Sequence, residues 1–128
     1  MTQNITPKAA LLLSTITMAA IDGELDRNEI AIINRLDGAS LSNEWDLAIS
    51  VWDITPVDEC VSLIASALNS KQQRVAMANM VDVAMADGAL DEDENLLLRA
   101  YAAEFKVDDN DIERIVDVIT IKNDMSIF

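Results

Sequence analysis

The sequence predicts an all-helical single domain, a bundle of about seven helices that internally duplicates a three-helix unit, and three observations carry that expectation. Of 128 residues 51% are apolar but only 4% aromatic, and three glycines and two prolines are too few breaks for a strand-and-turn architecture. The apolar residues recur at helical spacing rather than alternating. The frame A-x-x-D-G-x-L-D-x-x-E is also written twice, from Ala19 to Glu29 and from Ala84 to Glu94. A chain of this length fits one domain over 1–128, able to bury roughly two-thirds of the surface its unfolded form exposes.

Pro7 suits a first helical position, and the first helix should run to about Ile21. Leu11, Leu12, Leu13, Ile16, Met18 and Ala19 cover most of its circumference, as in a helix surrounded by others. Gly23 supplies a left-handed stop, and Asp26 with Glu29 forms a capping box for the second helix, with Leu25 and Ile30 spaced as a hydrophobic staple. That helix carries Ile32, Ile33 and Leu36 until Asp37-Gly38. Trp45, Ala48, Ile49 and Trp52 share a face of the third. Thr55 as cap and Pro56 at the first position open the fourth, with Val57, Cys60, Val61, Ile64 and Leu68 on its inner face.

Ser70 with Gln73 is a candidate capping pair for the fifth helix, which should carry Val75, Ala78, Val81 and Met85 inward and reach Ala86 before Gly88 stops it. The sixth sets Leu97, Tyr101 and Phe105 in one row beside Leu98 and Ala102. Asp108-Asp109-Asn110-Asp111 opens the seventh, with Ile112, Ile115, Val116 and Ile119. The stretch from Asp124 to Phe128 is either frayed or docked through Ile127 and Phe128.

One offset of 65 residues relates Asp22 to Asp87, Asp26 to Asp91, Glu29 to Glu94, Val51 to Val116 and Ile54 to Ile119. The expected units are a first repeat over about 7–55, a linker helix over about 56–69 and a second repeat over about 71–120. Packed about a pseudo-two-fold axis, they would put the first and fifth helices at the centre.

A net charge of −14 repels phosphate backbones and anionic lipid, so nucleic acid is not an expected partner and protein partners with a basic surface are. The oligomeric state is left open. The single Cys60 excludes a disulfide framework and suits a reducing, cytoplasmic setting, and its apolar helix face disfavours a reactive thiol. The apolar runs fall short of the roughly 18 residues a membrane span needs, so no membrane insertion is expected. Met18, Met77, Met80 and Met85 read as core filler among alanines.

The candidate site residues are the corner carboxylates Asp22, Asp26, Glu29, Asp87, Asp91 and Glu94. Asp26, Glu29, Asp91 and Glu94 are accounted for as caps at the positive ends of helices. Asp22 and Asp87 fall near helix C-termini, where the dipole disfavours an anion. Each either turns back onto corner amides or joins its neighbours in holding a hard cation, Ca²⁺, Mg²⁺ or Mn²⁺, because all-oxygen ligands without histidine exclude a zinc or copper site. The spacing is too short for an EF-hand loop. The second corner is the more acidic, with Glu92 and Asp93 where the first has Arg27 and Asn28, so a cation would prefer it. With no histidine, no Gly-rich phosphate loop and no nucleophile elbow, no catalytic residues and no organic cofactor are assigned, and a non-enzyme is expected.

The duplicated D-G-x-L-D-x-x-E corner, on a small acidic helical chain, resembles the TerB-like family of bacterial tellurite-resistance and stress proteins, from about Pro7 to Thr120. The resemblance implies a seven-helix duplicated fold, metal-binding carboxylates in the corners, and a non-catalytic module of stress or membrane-associated complexes. Two other functions fit the residues: a structural or adaptor domain whose acids only cap helices, and a carboxylate-metal enzyme.

Overall fold

The computed structural model describes residues 5–21, 33, 35, 43–86 and 88–128. Over these residues every regular element is helical, and six helices follow one another: α1 (Pro7–Ala19), α2 (Asn43–Ile54), α3 (Val57–Ala67), α4 (Ser70–Ala84), α5 (Glu92–Phe105) and α6 (Asp109–Asn123). The helix expected after Asp26 falls mostly outside the described residues, where Ile33 and Arg35 are helical. The first corner, with Asp22, Gly23, Asp26 and Glu29, and the Leu25–Ile30 staple lie outside them too.

α1 is the central helix, packed against α2, α3, α4 and α5. Its every residue from Leu12 to Ala19 is buried, including Ser14, Thr15 and Thr17. These hydroxyls survive burial because each donates to the carbonyl three residues back: Ser14 to Leu11 at 2.6 Å, Thr15 to Leu12 at 2.7 Å and Thr17 to Ser14 at 2.8 Å. Thr6, a cap the sequence reading passed over, accepts the Ala9 amide at 3.2 Å ahead of Pro7. α4 lies beside α1 and is the second core helix.

Several local expectations shift by a residue or a face. The capping box of α4 is Asn69 with Gln72, each side chain accepting the other's backbone amide at 2.9 Å, not Ser70 with Gln73. Gln73 instead donates to the carbonyls of Ala65 and Leu68, tying the end of α3 to the start of α4. Val75 is exposed, and the inner face of α4 is made by Ala76, Met77, Met80, Val81 and Ala84. In α2 the buried centre is Ala48 and Val51, with Trp45, Ile49 and Trp52 partly buried around it. Pro56 is extended rather than helical, with ψ 150°, so α3 starts at Val57 and has no side-chain cap from Thr55.

Other expectations match. Cys60, Val61 and Ile64 are buried on α3 and Leu68 just past its end, Leu97, Leu98, Tyr101, Ala102 and Phe105 on α5, and Met18, Met77, Met80 and Met85 fill the core. Burial, then the nearby Glu59 and Asp58, pushes the Cys60 thiol pKa above its ordinary value. α5 ends in a Schellman turn: Lys106 is left-handed (φ 57°, ψ 40°), its amide faces the Ala103 carbonyl at 3.4 Å, and Val107 reaches the Ala102 carbonyl at 2.9 Å. Ile127 and Phe128 are exposed, so that stretch is not docked on the core.

Candidate functional site at the second acidic corner

The corner begins where α4 runs out at Ala84, with Met85 as its capping residue. Gly88 therefore does not occupy the position that ends the helix. It lies three residues further on at φ +147°, a backbone region glycine alone enters freely, and its amide bonds the Met85 carbonyl at 3.2 Å. Leu90 is half-buried behind it, and Asp91 caps α5.

Asp91 and Glu94 are brought together by a complete capping box. The Glu94 amide donates to Asp91 Oδ1 at 2.8 Å, and the Asp91 amide donates to Glu94 Oε1 at 3.1 Å. Asp91 is exposed, whereas Glu94 is only 7% exposed. The box satisfies two amides that the first turn would otherwise leave open and sets both anions at the positive end of the helix. Asp87 lies outside the described residues, as do Asp22, Asp26 and Glu29. Among the described residues no three acidic, histidine or cysteine side chains converge into a group that could hold a metal ion. The donors that are described fit a cation only in part: two hard carboxylates side by side, each already holding an amide.

Behind the corner lies a polar group that the sequence reading missed. Asp82, on α4, is buried to 6% exposure. Its Oδ2 accepts Arg35 at 3.1 Å and its Oδ1 accepts Lys122 of α6 at 3.0 Å. Asn123, next along α6, donates to the Met85 carbonyl at 3.2 Å, so the end of α6 is fastened to the start of the corner. The available signal was a lone acid inside the apolar run Val81-Asp82-Val83-Ala84.

Beside the corner a cleft of about 320 Å³ opens between α5 and α6, lined by Leu90, Asn95, Arg99, Ile112, Glu113, Val116 and Asp117. Leu90, Ile112 and Val116 supply its apolar surface, and Glu113 and Asp117 are consecutive-turn acids of α6. Arg99 is engaged by Asp109 at 2.7 Å.

The family model described as Tellurite resistance protein TerB matches residues 52–117, just over half of the chain. The chain belongs to the TerB family. The matched stretch includes the second corner with Asp91 and Glu94 and the cleft beside it, while the first corner lies outside. No curated protein and no solved structure matches the chain. Membership agrees with the all-helical architecture over the described residues, and no helix among them is long and apolar enough to cross a membrane.

Proposed function

We propose that this TerB-family chain is a non-catalytic acidic binding module of the cytoplasm, serving a stress response of the tellurite-resistance kind by holding a protein partner with a basic surface. The observation that carries the reading is the corner itself. Inside the matched stretch, Asp91 and Glu94 are engaged with each other's backbone amides rather than facing one another across a cleft as an acid and base pair would. The net charge of −14 supports a cationic partner and long-range steering toward it. A direct test immobilises the chain and offers it basic and acidic proteins of similar size. Retention of basic ones, released by salt, is the expected result, and indifference to charge would refute the reading.

A second reading makes the corner a site for Ca²⁺, Mg²⁺ or Mn²⁺, with Asp87 joining Asp91 and Glu94. What favours it is that the capping box sets two carboxylates beside each other. Calorimetric titration of the three ions into wild type and Asp87→Ala decides it. Heat in the wild type that is lost in the variant supports the site, and the absence of heat in both removes it.

A further inference from the structure

The α6 wall of the cleft is made by Ile112, Glu113, Val116 and Asp117, and each stands 65 residues after a residue of α2: Leu47, Ala48, Val51 and Trp52. In α2 these four are apolar and packed on the core, with Ala48 and Val51 buried and Leu47 and Trp52 partly so. In α6 Ile112 stays buried, but two exposed carboxylates stand where α2 has alanine and tryptophan. The second repeat therefore presents as an open, charged wall what the first uses for packing. Among the described residues no hydrogen bond or ion pair engages the side chains of Glu113, Asp117 or Asn95 on the α5 side. The neighbouring cations are committed elsewhere, Arg99 to Asp109 at 2.7 Å and Arg114 to Asp111 at 3.5 Å.

We propose that the cleft receives one lysine or arginine side chain of the partner protein, an inference that rests on the reading of the chain as a module for basic partners. Such a side chain is an apolar stem ending in a cation. The stem lies against Leu90, Ile112 and Val116, and the cation meets Glu113 and Asp117, which consecutive turns of α6 set side by side. Other ligand classes fit less well. An anion would face two unpaired carboxylates, with Arg99, the one basic residue of the lining, already paired to Asp109. A wholly apolar ligand would take those carboxylates out of water without a partner. A hard divalent ion needs roughly six to eight oxygen ligands and gains nothing from an apolar wall.

The test titrates N-acetyl-lysine methylamide into the full chain, followed by heteronuclear NMR, beside its uncharged norleucine counterpart. The lysine derivative should shift the amide signals of Leu90, Asn95 and Val116 and half-saturate at about 1 mM, the affinity expected of a ligand its size, while the norleucine derivative should not. Two variants should weaken it about tenfold or more: Glu113→Gln/Asp117→Asn, which removes the charge, and Asp117→Trp, which gives the second repeat the residue of the first. Both change exposed positions, so melting temperatures within a few degrees of wild type are expected. Asp53→Asn/Glu104→Gln, which removes two exposed acids elsewhere, should leave the affinity unchanged. Equal weakening in that control would reduce the effect to bulk charge and overturn the site, as would the absence of shifts in wild type. Cadaverine, a free alkyl diamine, binding more than about tenfold tighter than the lysine derivative would overturn a protein as the source of the amine. Retention of basic proteins that is undiminished on immobilised Asp117→Trp would overturn the cleft while leaving the module reading intact. Loss of that retention already in the wild type would refute the module reading itself.

Discussion

Thr17 and Tyr101 meet across the core in a 2.6 Å hydrogen bond in which the tyrosine is the donor. The direction follows from the threonine hydroxyl already donating to the Ser14 carbonyl at 2.8 Å, which leaves its oxygen only an accepting role. Both residues are fully buried, and Tyr101 is further held by a tilted contact with Phe105 at 5.6 Å between ring centroids. The two ends of this bond therefore differ in what their loss costs. Thr17→Val leaves a buried O–H without an acceptor and should destabilise by about 1–3 kcal/mol. Tyr101→Phe removes the donor while Thr17 keeps its backbone partner, so it should cost about 1 kcal/mol or less. Urea denaturation of both variants and the double variant checks this, and a larger loss in Tyr101→Phe than in Thr17→Val would reverse the assigned direction.

Burial also raises the Tyr101 pKa above its ordinary value of 10.0. Because the folded value lies above the unfolded one, the stabilisation is complete below about pH 10 and declines as pH rises beyond it. Cys60, raised from 9.0 chiefly by burial, adds a loss of the same sign that starts lower. Melting temperature should fall steadily from about pH 9 upward. Tyr101→Phe should flatten the upper part of that fall, and an unchanged slope in this variant would show that other groups govern alkaline unfolding.

Asp82 gives a contrasting case, since its two partners keep water while it does not. Its side chain is 9% exposed, against 62% for Arg35 and 51% for Lys122. Asp82→Ala removes the buried charge and lets both cations return to solvent, so a loss of about 1 kcal/mol is expected. Arg35→Met/Lys122→Met strands a buried anion and should cost more, roughly 2–3 kcal/mol, below the figure for a wholly buried pair because the lost partners are half-solvated. Chemical denaturation at low and high salt measures both, and a costlier Asp82→Ala would show that the carboxylate holds the fold by something other than charge pairing.

Thr17 and Asp82 also show where sequence reasoning stopped. They stand 65 residues apart, the offset of the two corners, and each is a buried polar side chain on a core helix. Apolar periodicity located α1, α3, α5 and their inner faces because burying an apolar stripe is a local property of the helix. It passed over Ser14, Thr15, Thr17 and Asp82, whose partners are backbone carbonyls or side chains up to 84 residues away. Capping was legible where one residue suited the position, as at Asp91. It slipped at Asn69-Ser70, where two adjacent residues can both cap and two glutamines, Gln72 and Gln73, can both answer. The exposed Val118 and Ile121 continue the apolar character of α6, so composition does not separate its core side from its outer side.

The corner itself separates backbone geometry from charge. At Gly88 a Cβ would meet nothing within 4 Å, so any penalty for Gly88→Ala arises from φ +147° alone. Such a conformation should cost about 1–3 kcal/mol for a residue with a side chain. Asp91→Ala opens one end of the capping box and should cost about 1 kcal/mol, whereas Asp91→Asn, still able to accept the Glu94 amide, should cost only a few tenths. Thermal melts in chelator and again with excess Ca²⁺ or Mn²⁺ distinguish the roles open to Asp91. If capping is its whole role, the ranking of the three variants is the same in both buffers. If a cation binds, wild type and Gly88→Ala gain stability with the ion, while Asp91→Ala and Asp91→Asn gain far less, because an amide oxygen preserves the cap but not the charge a hard cation requires.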